Sequence, residues 1–178
     1  MVIWKRYGYE MYCKLLEEAV KEMQGIDTVE AVDTQIDLKI TAYIPPEYIE
    51  NQNQKIEVYQ DIANLEKEEQ ISEIIDELID RYGELPKEVV NLIEVARIKI
   101  LAREFEILSI IQNNDRVVIK FNNPDKMPTE KIQFLIDQFR NRIFFSAGAN
   151  PYITLRLQTK IDSDILEDVY KLLKLLNE

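Results

Sequence analysis

The chain of 178 residues is long enough for one domain or two small ones, and 22 Lys+Arg against 33 Asp+Glu leave a net charge of -11. That balance argues against duplex binding and against an anionic membrane as partner, because both need a basic face. With no histidine, one cysteine and four glycines, the sequence excludes Ser-His-Asp and Cys-His catalysis, an internal disulfide, a Walker A loop and a dinucleotide fingerprint.

In chain order, residues 9–24 carry Met11, Leu15, Leu16, Ala19, Val20 and Met23 at helical spacing, with Gly25 as a stop. Cys13 lies beside this stripe and reads as a small helix residue, since no histidine is available to activate it. A polar loop follows. Then Ile36, Leu38, Ile40 and Ala42 alternate with polar residues as a half-buried strand. Pro45-Pro46 ends the strand and opens a short turn through Ile49. Residues 53–66 read as a helix with Ile56, Tyr59, Ile62, Ala63 and Leu65 inward, followed by a break near residues 67–69. The clearest helix spans residues 70–82. Ile71, Ile74, Ile75, Leu78, Ile79 and Tyr82 form its apolar stripe, and Gly83 is its left-handed C-cap.

Pro86 starts a helix over residues 86–105, with Val89, Val90, Leu92, Ile93, Ala96, Ile100 and Leu101 apolar. From there the period changes. Residues 108–112 and 117–121 read as a hairpin around Asn113-Asn114-Asp115. A helix over 129–140 points Ile132, Leu135, Ile136 and Phe139 inward. Strands at 143–145 and 153–157 flank the turn at Gly148, and a helix over 163–176 closes the chain with Ser163 as cap. The fold class is α+β: a mainly helical part with one strand, then a β-β-α-β-β-α part. No apolar run is long enough to cross a membrane, and the N-terminus lacks a signal peptide's apolar core, so a cytoplasmic protein with no membrane partner is expected.

Charge is unevenly spread. Residues 1–96 hold 22 acidic and 9 basic residues, and residues 47–84 hold 12 acidic and 3 basic. Glu73, Asp76, Glu77 and Asp80 recur at i, i+3, i+4, i+7, on the side of the helix opposite its apolar stripe. Such a face suits a basic protein partner. The plainer reading is a solvated surface, and divalent-metal binding is the weakest, because a regular helix does not wrap a cation. No cofactor or metal is expected. Phe139-Arg140-Asn141-Arg142-Ile143-Phe144-Phe145 has the composition of a single-strand stacking platform. Aromatics alternating into a core, with arginines left in water, explain it more simply. Trp4 lies in an unpatterned segment.

Several runs resemble the C-terminal domain of the bacterial transcription-repair coupling factors: GYEMYCKLLEEAV at residues 8–20, IDLKI at 36–40, YIPPEYI at 43–49 and KIEVYQDIA at 55–63. The strongest is ELIDRYGELP at 77–86, continued by Ala96-Arg97. The resemblance covers roughly residues 8–105, and the β-containing half agrees in layout more than in residues. It implies one C-terminal regulatory domain over residues 8–178, with a helical half at 8–105 and a β-containing half at 106–178. Residues 1–7 read as a linker or appended segment.

In that family the domain is regulatory rather than catalytic, and the ATP-driven DNA translocase lies elsewhere in the parent. The resemblance implies docking on the parent's UvrB-like module, which masks its UvrA-binding surface until RNA polymerase engagement. UvrA and RNA polymerase are then indirect partners, and no direct DNA binding is expected. Carried over by position, the interdomain contact falls on Glu77 and Asp80, with Glu73, Asp76 and Arg81 beside them. Two other readings are an autonomous acidic adaptor for a basic protein and a metal-dependent enzyme using the carboxylates.

Overall fold

A computed structural model describes residues 33–178. The helix expected at 9–24, Cys13, Trp4 and residues 1–7 therefore lie outside the described residues. The described chain divides into two units, one of residues 40–100 and the other of residues 33–39 with 101–178.

In the first unit, Pro45 opens a turn whose carbonyl accepts the N–H of Tyr48 and Ile49. Helix α1 (Gln52–Ala63) starts where the Asn51 side chain accepts the N–H groups of Asn53 and Gln54. It buries Val58, Tyr59, Ile62 and Ala63, whereas Ile56 is only half-buried. Tyr59 is 1% exposed, and its hydroxyl accepts the N–H of Ile44 at 2.9 Å. Helix α2 (Glu69–Tyr82) buries Ile71, Ile74 and Leu78; Ile79, expected inward, is 45% exposed. Gly83 ends it at φ +89° and ψ -164°, a positive φ that glycine adopts freely, although ψ is not that of a left-handed helical residue. Helix α3 (Lys87–Glu104) is buried nearly all round: Leu92, Ile93, Val95 and Ile98 are each at most 1% exposed. Val90, expected in its stripe, is exposed.

The second unit holds a five-stranded sheet in the order β1-β2-β3-β5-β4. Strand β1 (Gln35–Asp37) runs parallel to β2 (Ile107–Asn113). The alternation expected as far as Ala42 persists in burial at Leu38, but the ladder stops at Asp37. Beyond it, the Lys39 N–H donates to the Gln112 side-chain oxygen at 2.8 Å, replacing a backbone partner. Strand β3 (Arg116–Phe121) returns antiparallel to β2 and also pairs with β5 (Tyr152–Arg156), which pairs with the edge strand β4 (Ile143–Ser146). The period of two puts Ile36, Ile110, Val117, Ile119, Ile153 and Leu155 on one buried face.

Helix α4 (Ile132–Phe139) follows a 3-10 turn at Thr129–Lys131 and buries Leu135 and Phe139, while Ile136 faces water. Helix α5 (Asp162–Asn177) buries Ile165, Leu166, Val169, Leu172, Leu173 and Leu176. Ile161, not Ser163, occupies its N-cap position, without a side-chain hydrogen bond. The Lys131 ammonium donates to the Leu176 carbonyl at 2.8 Å, placing a cation on the last turn of α5, where the helix dipole favours it. No described helix is long and apolar enough to cross a membrane.

Candidate functional site: the acidic face of α2

The face of α2 opposite its buried stripe carries Glu73, Asp76, Glu77 and Asp80, all exposed. Burial of Ile71, Ile74 and Leu78 fixes the rotation of the helix, so the carboxylates three and four positions apart stand side by side in water. Each such like-charge pair opposes helix formation by about 0.2–0.5 kcal/mol. One cation answers them on the helix itself. Arg81 donates to the Glu77 carboxylate at 3.0 Å, an i, i+4 pair, and lies 5.0 Å from the centre of the Tyr82 ring. The hydrogen bond from Arg81 to Glu77 raises the guanidinium pKa. Among the described residues, Glu73, Asp76 and Asp80 form no ion pair.

The C-terminal turn of α2 is held by Tyr48. Its hydroxyl lies 3.1 Å from the Leu78 carbonyl and 3.0 Å from that of Gly83, and can donate to either. Its ring stands 5.8 Å from that of Tyr82 at 59°. Leu78 and Gly83 bracket Asp80 and Arg81, so this tyrosine steadies the turn that presents them.

Two further acids join the site from α1. The Asp61 carboxyl is pushed above its ordinary value first by burial, then by the charges of Glu77 and Glu57, while Arg81 pulls it down. The acidic surface thus spans two helices. The excess of acid over base across residues 47–84 was the signal for this, but helical spacing within one segment does not reveal which side of α1 adjoins α2. Among the described residues, no group of three or more His, Cys, Asp or Glu side chains has the geometry to hold a metal ion.

The aromatic-basic run at 139–145 is split by the fold. Phe139 and Ile143 are buried. Arg142 reaches Asp168 with two hydrogen bonds of 3.0 and 3.1 Å, linking the approach to β4 with α5. Arg142 and Lys171 lie 5.7 and 5.4 Å from the centre of the Phe139 ring. Phe145 is half-buried, and Phe144 is 51% exposed.

The family model named TRCF domain matches residues 38–132. The transcription-repair-coupling factor of Bacillus subtilis is 33% identical over 172 residues, which is 94% of this chain and 14% of that protein. That of Staphylococcus haemolyticus is 45% identical over 97 residues, 53% of this chain and 8% of that protein. The chain thus spans a small part of these relatives' length. A crystal structure of the C-terminal domain of transcription-repair coupling factor superposes with a TM-score of 0.73 at 25% identity, covering 82% of this chain and 92% of that one. The chain belongs to the transcription-repair coupling factor family and corresponds to its C-terminal domain.

Proposed function

We propose that this domain is a regulatory clamp, docking through the acidic face of α2 on the UvrB-like module of a parent ATP-dependent DNA translocase. In the docked state it covers the surface that recruits UvrA, and engagement of RNA polymerase releases it. The domain itself performs no catalysis. The observation that carries this reading is the exposed carboxylate face, with Asp80, Asp76 and Glu73 unpaired among the described residues. Like charges placed side by side at a cost to their own helix suit a surface completed by a basic partner.

The energetics favour a releasable contact. Exposed ion pairs contribute about 0.2–1 kcal/mol each, and bidentate arginine pairs somewhat more. Such contacts hold a tethered module through its effective concentration and give weak binding when the tether is absent. Calorimetry of this chain with the separately produced UvrB-like module, at low and high salt, tests the reading. Weak, salt-sensitive binding is expected, and Glu77→Lys/Asp80→Lys should weaken it about tenfold or more while leaving the melting temperature within a few degrees. Binding unchanged by the double substitution would remove α2 from the interface. Unfolding of the variant would make the face structural.

A further inference from the structure

The sheet has a second face, which buries Ser109 and Thr154 but leaves most of the outer side chains of β3, β4 and β5 around them exposed. The period of two that buries Ile119, Ile153 and Leu155 sends Arg116, Lys120, Tyr152, Arg156 and Phe144 to the opposite side. Phe144 is 51% and Tyr152 38% exposed. Phe144 faces Thr154 and Tyr152 faces Ser146 across the β4–β5 ladder. The two rings are therefore diagonal neighbours on one surface, about 7–8 Å apart.

The cations beside them are arranged against the fold's own interest. Arg116 and Arg156 stand directly opposite each other across the β3–β5 ladder. Like charges so placed destabilise a sheet. A single carboxylate, Asp115 in the hairpin turn, lies 3.4 Å from Arg156, with both side chains more than half exposed. Lys120 faces Tyr152 on the same surface. Asp37 is the one acid on this side of the ladder, at the far edge strand. The chain's acidic excess lies mainly in residues 47–84, whereas residues 97–178 hold 13 basic and 11 acidic residues.

Exposed rings flanked by cations on a sheet surface are what an unpaired polynucleotide requires: stacking surfaces for bases and counter-charges for phosphates. We propose that the outer face of this sheet binds single-stranded RNA, with Phe144 and Tyr152 stacking bases and Arg116, Arg156 and Lys120 meeting phosphates. The choice of RNA rests on two hydroxyl-bearing residues of this face, Ser146 and Tyr152, which are register partners across the β4–β5 ladder and whose hydroxyls can pair with a 2′-hydroxyl as donor or acceptor. This site is independent of the acidic face of α2.

Fluorescence polarisation with a labelled oligouridylate tests it on the full chain, with oligothymidylate and a DNA duplex as the other arms. Binding to the RNA at low salt is expected, with a log–log salt slope near -2 for three phosphate contacts. Phe144→Ala should weaken binding about tenfold. Arg116→Gln/Arg156→Gln should flatten the slope by about 1.4. Glu77→Lys/Asp80→Lys should leave the stacking-dependent loss in Phe144→Ala unchanged. All these side chains are exposed, and circular dichroism before titration verifies that each variant is folded. No binding, binding indifferent to Phe144→Ala, or a duplex bound as tightly as the single strand would overturn the proposal. Tighter binding of oligothymidylate than of oligouridylate would overturn the assignment to RNA.

Discussion

The outer face of α2 and the outer face of the sheet are charged in mirror image. On α2, four carboxylates crowd together with one guanidinium, Arg81, bonded among them. On the sheet, Arg116 and Arg156 oppose each other with one carboxylate, Asp115, alongside. A third constellation differs from both. Arg142 and Asp168 are one of each sign, bonded twice and mostly buried. The contrast teaches how to separate charges that hold the fold from charges that the fold tolerates. A paired, partly buried charge makes the fold depend on its partner; clustered like charges oppose folding, and on the two readings proposed above a partner of opposite charge offsets that cost.

The largest effect on stability should come from the balanced pair. Arg142→Ala leaves the Asp168 carboxylate half-buried without its partner, and should cost about 1.5–3 kcal/mol at neutral pH. Burial already holds Asp168 above its ordinary pKa of 3.8, with Arg142 and Lys171 pulling the other way, so removing Arg142 raises it further. A carboxyl whose pKa is raised on folding favours the folded state below the unfolded value, and loses that contribution as pH rises through the folded value. The damage from Arg142→Ala should therefore be smaller at pH 3 than at pH 7, as denaturant titration at the two pH values would show. Equal losses would mean that Arg142 acts by packing against Phe139.

Next in size is Tyr48→Phe, which removes the hydroxyl held at the Leu78 and Gly83 carbonyls. It should cost about 0.5–1.5 kcal/mol. On the proposed clamp it should also weaken docking of the UvrB-like module without touching a carboxylate, because it loosens the turn that carries Asp80. The smallest effects should have the opposite sign. Arg116→Thr relieves a cross-strand repulsion and supplies a residue favoured in strands, for a gain of about 0.2–1 kcal/mol. Asp61→Asn should raise the melting temperature at pH 7 but not at pH 3, since Asp61 is held high by burial and by Glu77 and Glu57. A loss of stability in either variant would break the mirror comparison.

Much of this was legible in the sequence where one periodicity governs one element. The apolar stripe and acidic face of α2 follow directly from 3.6-residue spacing, and the resemblance of ELIDRYGELP to a known domain located the candidate contact. The misses share a cause. Ile79 and Ile136 fit an apolar pattern but sit at its margin, where tertiary packing decides exposure. Helix α3 is buried nearly all round, including the polar Asn91 and Lys99, so periodicity cannot indicate that Val90 is left out. Asp61, Tyr48 and the opposed arginines depend on what lies beside what across elements, which spacing along one segment does not encode. The run at residues 139–145 shows both limits: Phe139 enters the core as expected, but Phe144 stays exposed, Arg142, expected in water, is drawn into a pair with Asp168, and only the register with β5 sets Phe144 beside Tyr152.

Strand β1 has a consequence for the order in which the chain acquires its structure. Its partner β2 lies about seventy residues further on, as the Thr34 hydroxyl donating to the Ile107 carbonyl at a separation of 73 shows. During synthesis β1 emerges early and stays unpaired until all of residues 40–100 have followed. Closing so long a loop carries an entropic cost and delays the contact relative to hairpin β2–β3. The same separation forbids a clean cut. A fragment starting near residue 101 would lack β1 and leave β2 as a raw edge, buried on one face and open along its backbone, which invites pairing with other chains.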